Sequence, residues 1–297
     1  MPLLTVFTPT YNRAYILPKC YESMKRQSCK DFVWLVVDDG STDNTGHLVQ
    51  RWQAENNGFE LRYIFQENQG MHGAHNLAYE NIHTELNTCI DSDDYMPDDA
   101  VEKITDFWNI CEKDNSIAGF LALDAYENGK IIGTRFPKGV TSATSYDYYY
   151  KYGVKGDKKF ILRSDLAKLY PYPLFEGEKY VNLATKYSLI DIDYQLQNTN
   201  DVVCIVNYLD DGSTLNMFKQ YVSNPKGFAY SRKLCMSLPY AGALFRFRQA
   251  IHYVSSSFIS KDRQWLAKSP RKGLTLCAAP AGLLLWLYIM IKAGKDK

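Results

Sequence analysis

The sequence predicts an α/β fold with an open sheet flanked by helices. Apolar, strand-like runs alternate with helical patterns four times within about the first 100 residues, which points to parallel strands joined by right-handed crossovers. The second run, Phe32 to Val37, is apolar throughout, as a strand covered on both faces requires. Each run stops at a polar cluster. Ligands bind outside the carboxyl ends of strands in such sheets, so these clusters gather where a site belongs.

Leu3 to Thr8 is the first strand, and it ends in Thr8-Pro9-Thr10-Tyr11-Asn12-Arg13, a turn whose polar and aromatic groups suit a ligand. The helix after it carries Ile16, Leu17, Cys20 and Met24 on one face, with Pro18 in the first turn, where its missing N–H costs little. Phe32 to Val37 stops at Asp38-Asp39-Gly40, and Ser41 to Thr45 supply an N-cap for a helix bearing Leu48, Val49 and Trp52. Leu61 to Phe65 is the third strand. Gln66 to Asn76 follows, with glycines that let backbone approach a ligand and a helix starting near Ala74, whose N-terminus can receive phosphate. His72 and His75 are expected at the surface.

The fourth strand, Leu86 to Ile90, runs directly into Asp91-Ser92-Asp93-Asp94. Carboxylates this close repel, and protonating them near pH 7 is costly. A divalent cation resolves the conflict, and hard oxygen ligands suit Mg²⁺ or Mn²⁺. Asp98 and Asp99, after Pro97, read as solvated residues opening a helix.

The bulk composition narrows the choice. The 297 residues are enough for one large α/β domain plus an appendage, and a net charge of +1 gives no global field for nucleic acid. Seven dispersed cysteines, none in a C-x-x-C pair, fit a reducing compartment. Met1 to Val6 has no basic, apolar signal-peptide character. No G-x-G-x-x-G follows the first strand and no G-x-x-x-x-G-K-[ST] occurs, which counts against a dinucleotide dehydrogenase and a P-loop NTPase.

The motifs Thr8 to Arg13, Val37 to Thr45, Gln69-Gly70 with Ala74-His75-Asn76, and Asp91 to Asp94 occur in that order over about residues 3–110. Together they resemble the nucleotide-sugar-binding half of inverting family 2 glycosyltransferases of the bacterial cell-surface polysaccharide type. The resemblance implies the GT-A fold, a Rossmann-like open mixed sheet flanked by helices. It also implies that Pro9, Tyr11 and Arg13 pack on the nucleotide and that Asp39 hydrogen-bonds the base, usually uracil. Asn68 and the stretch from Gly73 through His75 to Asn76 would contact base and diphosphate; the family usually has Arg where this chain has His75. Asp91 would face the ribose or sugar, with Ser92 beside it, and Asp93 would bind the metal bridging the diphosphate.

An inverting transfer also needs a general base to deprotonate the acceptor hydroxyl. In the resembled family this is an acidic residue on a loop entering a helix, often written Glu-Asp. The matching stretch is Glu176-Gly177-Glu178-Lys179, which makes Glu178 the first candidate and Glu176 the second, with Asp191 and Asp193 further outside.

In the middle of the chain, Ile117 to Leu123 and Lys130 to Phe136 read as a hairpin turning at Asn128-Gly129. Tyr146, Tyr148, Tyr149 and Tyr150 either stack on acceptor sugars or pack at the sheet edge. Lys158 to Leu162 and Val202 to Tyr208 are further strands. A loop at Asp210 to Thr214 closes the catalytic domain, expected over 1–215 with a donor half to about 110 and an acceptor half beyond. Residues 216–297 form a helical region whose uncharged segment 274–291 is interrupted by Pro280 and Gly282 and flanked by basic residues. That pattern fits an interfacial or re-entrant helix pair on a membrane surface, the alternative being a helix packed on protein.

The expected activity is transfer of a sugar, most simply from a UDP-sugar, to a glycan acceptor carried on a lipid at the cytoplasmic face of the cell membrane, without nucleic acid. The alternative is a non-catalytic nucleotide-binding or scaffold subunit of a glycan-assembly complex.

Overall fold

The computed structural model describes residues 2–111, 114–207 and 217–295. The expected loop at Asp210 to Thr214 and the boundary near 215 lie outside the described residues. The chain forms two compact units: Met1–Asn68 with Gly73–Pro171 and Asp193–Leu209, and Gln69–His72 with Tyr172–Ile192 and Asp210–Lys297. Residues 172–192, counted with the catalytic domain in the division at 215, thus cluster with the C-terminal helices.

The first unit is built on one sheet. Its strands are β1 (Leu4–Thr10), β2 (Phe32–Asp38), β3 (Glu60–Phe65), β4 (Leu86–Cys89), β5 (Ile117–Ala125), β6 (Ser142–Ala143), β7 (Lys158–Arg163) and β8 (Gln195–Ile205). They lie in the order β3-β2-β1-β4-β7-β5-β8-β6. β1 pairs in parallel with β2 and β4, and β2 with β3, as the crossovers demand, while β7 runs antiparallel to β4 and β5 and makes the sheet mixed.

The connecting helices are α1 (Leu17–Arg26), α2 (Thr45–Gln53), α3 (Met71–Asn81), α4 (Ala100–Ile110), α5 (Ser145–Tyr150) and α6 (Ser164–Leu169). Pro18 falls in the first turn of α1, and Leu17, Cys20 and Met24 form its buried face. These side chains join Leu4, Val6, Trp34 and Val36 in one core. Tyr21 stacks on Trp52 at 4.1 Å and on Trp34 at 5.8 Å between ring centroids. Burying each such side chain contributes about 2–3 kcal/mol.

Two expectations in this unit are corrected. Lys130 to Phe136 is not a strand: only Ile131 bridges Ala125, and Gly133, at φ +71°, turns the chain against the backbone of Lys155. A side chain at Gly133 would overlap the Lys155 carbonyl, so this close backbone approach replaces the ladder. The last long strand starts at Gln195 rather than Val202, because its first half pairs with β5 and with β6. Tyr148 is fully buried, donating to Leu196 O at 3.0 Å and accepting from Asn198 Nδ2 at 2.8 Å, whereas Tyr150 is exposed.

The second unit is helical. It comprises α7 (Ala184–Ile190), α8 (Met217–Ser223), α9 (Pro225–Ser237), α10 (Ala243–Ile259) and α11 (Lys272–Lys295). The break expected at Pro280 and Gly282 is absent, and α11 is one continuous helix containing Pro280. Gly282 packs directly on Val254 of α10, where a Cβ would come within 2.5 Å of the Val254 Cβ, and this packing carries the helix past the proline. α11 is long and apolar enough to cross a membrane by length and composition.

Candidate active site

The carboxyl ends of β2 and β4 flank that of β1. Register pairs Thr10 with Asp38 and Phe7 with Cys89, so Tyr11, Asp39 and Asp91 leave the sheet at one edge. The connections diverge to either side of β1 here, which opens the crevice where such sheets bind ligands.

The loops after β1 and β2 are tied to each other. Asn12, at φ +53°, accepts from Thr42 N at 2.8 Å through Oδ1 and donates its own N–H to Ser41 Oγ at 2.8 Å. The cap expected from Ser41 to Thr45 is made differently. Asn44 makes no side-chain cap, and Asp43 instead accepts from Thr45 N at 2.9 Å and from Ala14 N at 3.1 Å. Burial pushes the Asp43 carboxyl up, but these hydrogen bonds more than offset it and hold its pKa below the usual value. Pro9 is half-buried in β1, and Tyr11 is 48% exposed. The Arg13 guanidinium bonds the Tyr15 hydroxyl and lies 5.8 Å over its ring.

Asp38 and Asp39 are both buried but differently engaged. Asp38 accepts from Ser41 N and from the Tyr63 hydroxyl, each at 2.8 Å, which fixes the loop. Asp39 accepts from Gln66 Nε2 at 2.6 Å, and its N–H reaches Thr10 O at 2.8 Å. Gly40, at φ +85°, lets Asn68 approach: a Cβ there would stand 2.7 Å from Asn68 N. Asp39, Gln66 and Asn68 therefore form one polar corner at the ends of β2 and β3.

His75 is buried rather than at the surface. Its ring meets Phe7 edge-on at 5.0 Å, Nδ1 lies 3.5 Å from the Tyr79 hydroxyl, and Nε2 lies 3.7 Å from Cys89 Sγ. Gly73 and Asn76 flank it on α3, with Asn76 half-buried. His72 is buried too; burial pushes its pKa down to about 4, partly countered by a hydrogen bond with the Lys179 backbone.

At the end of β4, Asp91 and Asp93 are half-buried and Ser92 is buried. Cys89 Sγ reaches Asp91 Oδ1 at 3.6 Å. Asp94 is buried, accepting from Asn207 N at 3.1 Å and lying 3.8 Å from Cys204 Sγ. Burial pushes the Asp94 pKa up to about 7; Lys159 opposes this, and Asp91 and Asp93 add to it. Burial disfavours the Lys159 ammonium as well, but Cys204, Asp124, Asp94 and Asp91 around it hold its pKa well above the usual value. Lys159, on β7, is thus the cation behind the carboxylates. The sequence reading did not assign it, because only the pairing of β7 with β4 brings it there. Asp98 and Asp99 are surface residues, paired with Arg26 at 3.0 Å and Lys103 at 2.8 Å.

In the second unit, Glu178 is buried and Glu176 is exposed. Glu178 Oε1 accepts from Lys226 N at 2.9 Å and Oε2 from Gly227 N at 2.8 Å, so the carboxylate caps α9. Asp191 is buried and Asp193 exposed.

Residues 5–168, more than half of the chain, match the model of the family described as glycosyl transferase family 2. The chain belongs to this family. The glycosyltransferase GlyA of Streptococcus pneumoniae is 31% identical over 180 residues, 58% of this chain and 25% of that protein. The GalNAc(5)-diNAcBac-PP-undecaprenol beta-1,3-glucosyltransferase of Campylobacter jejuni is 33% identical over 106 residues, 35% of this chain and 34% of that protein. The match thus spans about a third or less of either relative's length. Among solved structures, S. aureus TarS 1-349 in complex with UDP-GlcNAc superimposes with a TM-score of 0.62 at 17% identity, covering 94% of this chain and 79% of that one. The mannosyltransferase PcManGT of Pyrobaculum calidifontis, in complex with GDP-Man and Mn²⁺, gives 0.58 at 18% identity, covering 99% and 83%. This family 2 chain therefore has the GT-A fold that the sequence implied.

Proposed function

We propose that the chain is a metal-dependent inverting glycosyltransferase that takes its sugar from a nucleotide-sugar, a UDP-sugar in the simplest reading. The observation that carries this is the placement of Asp39 and of the Asp91–Asp93 pair at the ends of β2 and β4, on either side of β1.

Asp93 is the proposed metal ligand. Among the described residues no group of three His, Cys, Asp or Glu forms a protein cage. A carboxylate donor such as Asp93 suits Mg²⁺ or Mn²⁺, which bind through one or two carboxylates plus substrate phosphates and keep several waters. When bound, the ion offsets charge developing on the departing diphosphate. Asp39 would read the base beside Asn68, Tyr11 and Pro9 would pack on it, and Asp91 would orient the ribose or sugar. Arg13, Ser92, Gly73 and Asn76 complete the proposed donor site. His75, buried against Phe7 and Cys89, would shape that site from behind.

Glu178 or Glu176 would take the proton from the acceptor hydroxyl as it attacks the anomeric carbon. Each Glu178 oxygen accepts one backbone N–H and keeps a second lone pair. The acceptor is proposed to be a lipid-linked glycan of a cell-surface polysaccharide. Residues 217–297 carry 14 Lys and Arg against 2 Asp, and α11 exposes Leu276, Leu284 and Leu287. This combination suits an anionic, cytoplasmic membrane surface.

Calorimetric titration with UDP, with and without Mn²⁺, tests the donor site. Binding should require the metal and should weaken about 100-fold in Asp93→Ala, close to 3 kcal/mol. Binding that ignores both the metal and this substitution would sink the proposal. The use of Glu178 as a helix cap favours one second reading, a nucleotide-binding scaffold without transfer activity. UDP binding without any sugar transfer or donor hydrolysis would select it.

A further inference from the structure

Within the second unit, α9 and α10 each bring an arginine to one histidine, and α8 adds an aromatic ring. Arg232 lies on α9, Arg248 and His252 lie one turn apart on α10, and Tyr221 lies on α8. Residues 217–261 contain no Asp or Glu. No ion pair among the described residues includes Arg232 or Arg248.

The Arg232 fork is fixed in place: Nη1 donates to Gln249 Oε1 at 2.9 Å, while its Nε–H is buried with no acceptor. Burial, with Arg232 and Arg248 close by, pushes the His252 pKa down to about 4, so the imidazole is neutral at pH 7. Neither guanidinium loses its proton, so both charges beside His252 stay in the fold. Aromatic rings line the same place. Tyr221 lies 6.5 Å from His252 and 4.5 Å from Phe228, which stacks on Tyr180 at 5.1 Å. Arg248 is exposed, so solvent reaches the cluster.

We propose that Arg232 and Arg248 form a binding site for a phosphate ester carried on a lipid, with Tyr180, Tyr221 and Phe228 beside it. An anion supplies the acceptor that the Arg232 Nε–H lacks and offsets the two positive charges beside His252, and guanidinium forks match phosphate oxygens in a bidentate manner. The rings offer an apolar face to the group the phosphate carries. The phosphate belongs either to the diphosphate of a lipid-linked acceptor, which rests on the transfer activity proposed above, or to an anionic headgroup, which does not.

The test uses the full chain in metal-free buffer, where the proposed donor site does not hold a diphosphate. Three probes are compared: inorganic pyrophosphate, a prenyl diphosphate in neutral detergent micelles, and phosphatidylglycerol vesicles against phosphatidylcholine vesicles. Pyrophosphate should bind, and Arg248→Gln, at an exposed position, should weaken it at least tenfold without changing the melting temperature. Arg232→Lys, which keeps the charge but loses the fork, should fall between. Asp93→Ala should leave this binding unchanged, which separates the site from the donor site and its failure from a failure of the donor reading. A tenfold loss confined to the micelles assigns the phosphate to the acceptor, and one confined to the phosphatidylglycerol vesicles assigns it to the headgroup. Absence of binding to all three probes, or binding that Arg248→Gln leaves intact, overturns the proposal.

Discussion

Glu178 holds Gly227 at the head of α9, its Oε2 accepting the Gly227 N–H at 2.8 Å while Oε1 takes that of Lys226. Hydrogen bonds of this charged kind contribute about 1.5–3 kcal/mol each. Replacement by Gln would turn an amide N–H₂ toward a backbone N–H. Glu178→Gln is therefore expected to lower unfolding stability by about 2 kcal/mol, whereas the exposed Glu176→Gln should leave it unchanged. Urea unfolding of both variants, read beside sugar transfer, separates the roles. Transfer lost only in Glu176→Gln would make Glu176 the base and Glu178 a cap.

The same junction reverses a common expectation for glycine. Within a helix, Gly→Ala ordinarily stabilises by about 1 kcal/mol. At Gly227 a Cβ would overlap the Tyr180 carbonyl oxygen. Gly227→Ala is expected to destabilise by roughly 1–3 kcal/mol, as overpacking does. A higher denaturation midpoint for this variant would show that the backbone of Tyr180 is free to move.

What the sequence made legible follows the range of the interactions involved. Period and abrupt polar endings mark β1, β2 and β4, and they place Asp39, Asp91 and Asp93 at strand ends without reference to any distant residue. Two of the misreadings involve partners far along the chain. His75 is buried because Phe7 and Cys89 close over it, and Gly133 leaves the sheet because Lys155 passes beneath it; the cap that Glu178 makes 48 residues later was equally beyond local reading. Lys159 escaped notice for the same reason, since an ordinary Lys-Lys opening a strand gives no hint that the second lysine will face three acidic side chains.

Lys186 on α7 should set a pH dependence of stability. It is buried, with Nζ 4.8 Å from the centre of the Tyr172 ring, and burial pushes its pKa down to about 7. In the unfolded chain a lysine titrates near 10.4. Between those values the unfolded chain binds a proton that the folded chain does not, so stability rises with pH from about 7 to about 10 and is flat below 7. The total is on the order of a few kcal/mol. Lys186→Met should stabilise the protein at pH 7 and remove the rise. Urea unfolding at pH 7 and pH 9.5 checks this; an unchanged slope in the variant would assign the rise to another group.

α11 presents one apolar face to its surroundings. Leu276, Leu284, Leu287 and Ile291 are exposed and fall on one side of the helix, while Thr275, Ala278, Gly282 and Ile289 are buried on the other. At 1.5 Å per residue the helix is roughly 36 Å long, and basic residues stand near both ends, Arg271 just before it, Lys272 at its first position and Lys292 within its last turns. The proposed membrane binding through this face would draw on apolar burial and on attraction to anionic headgroups together. Leu284→Glu with Leu287→Glu should reduce co-sedimentation with phosphatidylglycerol vesicles at least tenfold. The melting temperature and metal-dependent UDP binding should stay the same, because neither leucine contributes to the buried side. Raising the salt concentration should weaken the binding that the unmodified chain shows, through screening of the basic residues. Undiminished vesicle binding by the double variant would mean that this face of α11 is not the membrane contact.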